Sequence, residues 1–248
     1  MSDVRKQFSE KYLRGRGVEF GALHNPLATP VNSQVLYVDR FTKVELLGKF
    51  PELNDHADRI VETDITLDLD NGDFSVFTGQ NFQFFIANHV IEHLVNPIRF
   101  LKQIYDAMQV GAILYLSVPD KDFTFDKNRK LTSFAHLWQE YEKDTTVLSK
   151  AHLNDFILNI TKDHIETERR KKMYFSGDKL PWNMFTRQKL YRLHRKRSIH
   201  VHVWDQKSFD AFLHASIEKL NLSFRVLDST FGKKSDPSEM IYILEKTS

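Results

Sequence analysis

Short apolar runs alternate with helix-length amphipathic stretches along the first half of the chain, the pattern of βαβ units and a parallel sheet. Residues 17–20 (GVEF) predict a first strand ending at Gly21, and 34–38 (QVLYV) a second ending at Asp39. A weaker third covers 59–62 (RIVE) and ends near Asp64. Residues 82–87 (FQFFIA) are almost continuously apolar, which predicts a central strand buried on both faces. A fifth strand, 112–118 (AILYLSV), is stopped by Pro119. Between the last two, Ile91, Leu94, Val95, Ile98, Leu101, Ile104, Tyr105 and Met108 recur at helical spacing and predict a helix over 91–108.

After Asp120 the alternation stops. Residues 120–200 are rich in aromatics, histidines and bases, with helices expected near 134–144 and 147–170. The sheet pattern then returns: an amphipathic helix over Ser208–Leu220, with Ser208 as its cap, precedes two strands at 222–228 and 240–246. Their link has no room for a crossover helix, so they should pair antiparallel. The expected organisation is an α/β core over 1–120, a helical cap or insertion over 121–199 and a return to the core over 200–248, all within one domain. On physical grounds this is an open α/β sheet with its ligand at the strand carboxyl ends.

Composition narrows the chemistry. The 248 residues, 41% apolar, suffice for a sizeable core. No cysteine occurs, which excludes a disulfide scaffold, a thiolate zinc site, an iron–sulfur centre and a cysteine nucleophile. The first residues have no apolar core of signal-peptide length, and no run reaches about 18 apolar residues. The expectation is a cytoplasmic protein without a transmembrane segment. A net charge of +2 hides two opposed regions. Residues 169–197 hold eleven bases against Asp178 alone, a net +10, while the remaining 24 bases and 32 acids give −8. Met173, Tyr174, Phe175, Trp182, Phe185 and Tyr191 interleave with those bases. Such a segment suits an anionic partner: a phosphorylated or acidic glycan, a lipid-linked pyrophosphate at a membrane surface, or RNA. A solvated helical hairpin is the alternative.

At the expected strand ends stand Glu19 with Gly21, then Asp39, Asp64, and Asn88 with His89. Acids after successive strands suit a ligand bearing hydroxyls and an amino group, as in an adenosine-containing molecule. Taken singly, Asp39 and Asp64 are equally helix caps or turn residues.

The segments GVEFGALHNPL (17–27), LYVDRF (36–41), ETDI (62–65), FFIANHVIEHLVNP (84–97), GAILYLSVPDKDFTFDKNR (111–129) and IHVHVW (199–204) resemble class I S-adenosylmethionine-dependent methyltransferases. The nearest likeness is to a bacterial methyltransferase-domain subgroup associated with surface-glycan biosynthesis. The resemblance covers 15–140 well and 199–245 more loosely. It implies a Rossmann-like fold with a seven-stranded, mostly parallel sheet, an antiparallel last strand and a helical cap, and S-adenosylmethionine as cofactor. It places Glu19 and Gly21 near the methionine part, Asp39 at the ribose hydroxyls, Asp64 at the adenine amino group, and Asn88 and His89 beside the sulfonium. The chain departs from the usual glycine-rich loop at Leu23 and Asn25.

For a hydroxyl acceptor, methyl transfer needs in-line placement and a base. Imidazole titrates in the right range, which singles out His89, His136 and His152. His136 is the expected base, with Asp120 and His89 as further catalytic candidates. Lys121, Asp126, Arg129, His152, His200 and His202 are expected to place the acceptor. A salt-bridged scaffold for the cap is the competing account of these residues. Two patterns suggest metal: His89-Val-Ile-Glu92-His93 has the inverted zincin spacing, and His200-x-His202 on a strand would put both rings on one face. A buried strand ends immediately before the first, unlike a protease helix, and a hydrogen-bonded pair explains the second, so no metal is expected. The function expected is O-methylation of a sugar-like or phosphorylated acceptor. The alternative is an inactive methyltransferase-fold module that binds an adenosyl ligand or an anionic partner such as RNA.

Overall fold

The computed structural model describes residues 3–159, 184–195, 198–231 and 238–248. Seven strands form one sheet: β1 (Arg16–Phe20), β2 (Gln34–Asp39), β3 (Ile65–Thr66), β4 (Phe84–Asn88), β5 (Ile113–Pro119), β6 (Phe224–Ser229) and β7 (Glu239–Lys246). Their order is β3-β2-β1-β4-β5-β7-β6. The first five run parallel, while β7 lies antiparallel to both β5 and β6. Seven helices are described: α1 (Asp3–Tyr12), α2 (Lys43–Lys49), α3 (Pro97–Ala107), α4 (Phe134–Glu142), α5 (Lys150–Asn159), α6 (Met184–His194) and α7 (Gln206–Lys219). The basic stretch 169–197 lies outside the described residues except for α6 and Arg195, as does the second half of the helix expected over 147–170.

The central strands are buried on both faces, which is why they read as continuous apolar runs. Phe85 and Ala87 of β4 point with Leu114, Leu116 and Tyr242 into the larger core, under α3 and α7. Phe84 and Ile86 point the other way, with Tyr115, Ile241 and Ile243, against Phe8 of α1 and Leu27. A third cluster joins Leu153 and Phe156 of α5 to Leu190 of α6 and to Ile199 and Val201.

Three expectations shift. The third strand is not at 59–62 but at Ile65–Thr66, because the Val61 amide donates to the Leu23 carbonyl (3.0 Å) and pairing with β2 begins only at Val38–Ile65. The helix over 91–108 is two elements, a 3₁₀ turn at Ile91–His93 and then α3. Pro97 disfavours a helical Asn96, whose side chain instead caps α3 by accepting from the Arg99 amide at 3.0 Å. The apolar spacing runs through the break because both pieces bury against one core. The α7 cap is Asp205, not Ser208. Asp205 Oδ1 accepts from the Ser208 amide (2.7 Å) and Ser208 Oγ from the Asp205 amide (3.0 Å), a capping box.

The strand order reverses between β1 and β4, so the crevice for a ligand opens at the ends of those strands. Gly21 turns there at φ +63°, and a Cβ would sit 3.3 Å from Val90. Deeper in the sheet a Cβ at Gly17 would lie 2.0 Å from the ring of fully buried Phe84. Gly17→Ala should therefore destabilise the fold by roughly 1–3 kcal/mol or more. A urea midpoint equal to that of the wild type would contradict this packing.

Candidate active site

On the cofactor side of the crevice, Glu19 is buried in β1, and its Oε1 accepts from the Leu27 amide at 2.9 Å. Oε2 has no hydrogen-bond partner among the described residues. Burial pushes the carboxyl up to about 8, against the opposing pull of the Leu27 amide and Arg5. The loop after Gly21 keeps its turn without further glycine, because Leu23 itself adopts φ +49°. His24 stacks on His56 with ring centroids 4.6 Å apart, tying that loop to residues 51–56. Asp39 ends β2, and its Oδ1 accepts from the Phe41 amide at 3.2 Å; burial raises its pKa despite amide bonds that oppose it.

Asp64 lies elsewhere than expected. It precedes β3, is exposed, and its Oδ2 accepts from the Tyr37 amide at 2.8 Å. The acids that follow β3 are Asp68, paired with Arg40 at 2.9 Å, and Asp70, which accepts from the Val95 amide at 2.8 Å. Burial first, and Asp68 beside it, push Asp70 up to about 6.

At the end of β4, Asn88 accepts from the Ser117 hydroxyl. His89 follows at φ +54°, strained for a residue with a Cβ. Its Nε2 lies 3.6 Å from Glu239, its Nδ1 3.6 Å from Glu92. Burial opposes a proton on this ring, but the two carboxylates outweigh burial and raise its pKa. Glu92 is almost fully buried, and neither of its oxygens has a hydrogen-bond partner among the described residues. Beyond it, His93 Nε2 stands 3.8 Å away, and the His93 ring meets that of His200 edge-on at 4.7 Å. Burial drives the His93 pKa down to about 4.

His200 Nδ1 bonds Asp126 Oδ2 at 2.5 Å. Asp126 is itself held by Arg129 at 2.9 Å. Although burial raises the Asp126 pKa, His200 and Arg129 lower it further, to a net depression. Arg129 is fully buried and uses all three guanidinium nitrogens: Nε on Asp155 (2.9 Å), Nη1 on Asp126 and the His200 carbonyl (2.7 Å), Nη2 on the Val201 carbonyl (3.1 Å) and Asp155 (2.8 Å). A narrow crevice beside the end of β5 is lined by Glu92, Pro119, Lys121, Asp126, His200 and Trp204 among others.

A second cluster surrounds Glu140 of α4. His152 Nε2 lies 3.0 Å from Oε1, and His136 and His202 Nε2 lie 3.4 and 3.5 Å from Oε2. His202 also reaches the Val95 carbonyl at 3.1 Å, and burial drives its pKa down to about 3. His200 and His202 thus serve different clusters and do not form the single pair expected of them. The structure brings Asp126, Arg129 and His200 together, and separately His136, His152 and His202. Asp120 caps the turn at Lys121–Phe123 through the Asp122 amide (2.9 Å), and Lys121 Nζ is taken by the Lys127 carbonyl (2.8 Å). Among the described residues, two sets of side chains bring potential metal-ligand atoms within 4.8 Å of one another: Glu92, His93 and His200, and His136, Glu140 and His202.

Glu92, Glu140 and Glu239 were not among the site residues expected from sequence. Glu92 stands out in the sequence only as part of the inverted zincin spacing His89-Val-Ile-Glu92-His93, and Glu140 has no signal beyond standing four residues after His136. Glu239 has none, since it lies just before the strand expected over 240–246.

A family model described as a methyltransferase domain matches residues 1–216. No curated protein matches the sequence. Among solved structures, the chain is similar to one named as a Zn-dependent alcohol dehydrogenase from Rhodobacter sphaeroides, at 13% identity and TM-score 0.54, over 99% of this chain and 89% of that one. It also resembles the CurJ carbon methyltransferase (13% identity, TM-score 0.44, 95% of this chain), of which it spans only 50%. The N-terminal domain of EvdMO1, solved in the presence of SAH and D-fucose, matches at 17% identity and TM-score 0.44, over 99% of this chain and 82% of that one. At these identities the likeness is one of fold.

Two outcomes test the geometry. Removing a fully buried, charge-paired guanidinium costs about 3–5 kcal/mol, so Arg129→Ala should fall near the limit of foldability, and Arg129→Lys should not restore the loss. Wild-type stability in Arg129→Lys would contradict the planar bonding above. Burial holds the Glu19 carboxyl up at about 8 in the fold, whereas the same carboxyl in the unfolded chain ionises near its ordinary value of 4.5. Stability should therefore be highest at the low end of that window and fall by on the order of a few kcal/mol as pH rises through it. Glu19→Gln should flatten this dependence; an unchanged pH slope in denaturation would show that Glu19 is ionised in the fold.

Proposed function

Because the chain belongs to the methyltransferase-domain family, we propose that it transfers the methyl group of S-adenosylmethionine to a hydroxyl of a sugar-like or phosphorylated, glycan-related acceptor. The observation that carries the acceptor side is the Asp126–His200 pair at 2.5 Å, lining a narrow crevice beside the end of β5. The cofactor side fits the residues present: a close-approach glycine at the end of β1, a buried carboxyl with an unpartnered oxygen at Glu19, and a half-buried Asp39 at the end of β2. S-adenosylmethionine supplies an electrophilic methyl on a sulfonium, which leaves as a neutral thioether when an oxygen displaces it.

The protein's own work is then to place that oxygen and remove its proton. His200 donates Nδ1–H to Asp126, which leaves the Nε2 lone pair as acceptor for the hydroxyl proton. Asp126 fixes the tautomer, and Arg129 fixes Asp126. Lys121, bound to a backbone carbonyl at the rim, gives this narrow crevice a cation for an acidic or phosphorylated acceptor. His136, the base expected from sequence, turns its Nε2 inward to Glu140 and His152, so His200 fits the role better. His89 and Asn88 border the crevice where the reacting methyl would lie, and the basic stretch 169–197 supplies positive charge for an anionic acceptor.

Calorimetry should show binding of S-adenosylmethionine and S-adenosylhomocysteine, weakened at least tenfold in Asp39→Ala. Binding of neither ligand by the folded wild type would sink the enzyme reading. In a labelled-methyl screen over nucleotide sugars and lipid-linked glycans, His200→Ala should lose about 10²–10⁴-fold in kcat. A full-rate His200→Ala would remove that residue from the chemistry.

A further inference from the structure

We propose that His136, Glu140, His152 and His202 bind one divalent transition-metal ion, with zinc the ion their geometry fits best. The four side chains come from three separate segments: His136 and Glu140 from α4, His152 from α5, and His202 from the segment returning to the sheet. One ligand atom each of His136, Glu140 and His202 lies within 4.8 Å of the others. His152 Nε2 adjoins that group, 3.2 Å from His136 Nε2 and 3.0 Å from Glu140 Oε1, near enough to supply a fourth ligand. With metal–ligand bonds of about 2.0–2.2 Å, tetrahedral ligands sit about 3.4 Å from one another; His136 and His202 Nε2 lie at that distance, 3.4 and 3.5 Å, from Glu140 Oε2, and His152 Nε2 faces the other carboxylate oxygen at 3.0 Å.

The donor set also fits. Three imidazoles and a carboxylate, without thiolate, are the ligands of zinc and its first-row neighbours and not of magnesium or calcium. Glu140 Oε2 has no hydrogen-bond partner among the described residues, so an ion would satisfy this buried oxygen. The shell is closed on three sides: the His202, His152 and Glu140 side chains are 1%, 8% and 10% exposed. His136, at 42%, leaves the route by which an ion enters. Binding requires His202 Nε2 to leave the Val95 carbonyl and His152 Nδ1 to give up a long 3.4 Å contact from the Ser149 amide.

The second ligand-like group, Glu92 with His93 and His200, is less suited. His200 Nδ1 is committed to Asp126 and His93 Nδ1 to the Ile199 carbonyl at 2.9 Å, while His93 Nε2 stands 3.8 Å from Glu92. Four protein ligands make the Glu140 site a structural one. The ion staples α4 and α5 to the return segment, and it holds residues 200–202 in place whether or not the chain transfers methyl groups.

The test is equilibrium dialysis of the full chain, stripped with a chelator, against zinc chloride, with bound zinc counted by mass spectrometry and the melting midpoint followed alongside. One zinc per chain and a midpoint that rises with zinc are expected. His136→Ala and Glu140→Gln should each weaken zinc binding at least tenfold, while His93→Ala should bind as the wild type does. If Glu140→Gln does not fold, His136→Ala, whose ring is partly exposed, carries the comparison. Absence of zinc from the wild type, unchanged affinity in His136→Ala, or loss only in His93→Ala would each overturn the proposal.

Discussion

The buried guanidinium of Arg129 is the interaction on which the rest of the site depends. It bonds Asp126 three residues before it, Asp155 of α5, and the carbonyls of His200 and Val201 in the return segment. A charge with no exposure is tolerated only when every donor has an acceptor, and here the acceptors come from three segments at once. That requirement sets where α5 and residues 199–201 can lie. It also fixes Asp126, and through Asp126 the orientation of the His200 ring. Remove the cation and the Asp126 and Asp155 carboxylates and two backbone carbonyls lose a partner together, which is why the cap and the site are one structural unit.

Around this anchor the acids are kept buried by histidines more than by hydrogen bonds. Glu92 lies between His89 and His93, and Glu140 among His136, His152 and His202. A buried carboxylate is costly unless a positive or donor group faces it, and imidazole can supply a proton, an N–H or a lone pair. The result is a face of the molecule whose polar groups are interdependent, above a sheet whose two cores are almost wholly apolar. The strain at His89, held at positive φ by the turn out of β4, belongs to the same arrangement: it aims the ring between Glu92 and Glu239.

Much of the sheet was legible because burial on both faces forces continuous apolar runs, as at Phe84 to Ala87 and Leu114 to Val118. The antiparallel closing pair was legible from a link too short for a crossover. The errors occurred where backbone hydrogen bonds and not hydrophobicity decide. Ile60 is buried like a strand residue, but the Val61 amide goes to Leu23, so no ladder forms there. Ser208 and Asp205 share one capping box, and their order within it depends on which backbone leaves the helix first. Asn96 interrupts a helix whose apolar periodicity continues, because both halves face the same core.

For the site, the sequence by itself determined the residue types and their order: glycine and acids at strand ends, a cluster of histidines after Asp120, and a basic stretch beside them. It also determined the open α/β sheet, since alternation and run length follow from the pleat and from burial. Which histidine faces which acid was decided only by the tertiary structure. His200 and His202 are two residues apart, yet one bonds Asp126 and the other reaches Glu140. Glu239, remote in the chain, comes within 3.6 Å of His89. Such pairings join segments that touch only after the cap has closed over the sheet, and no local spacing records them.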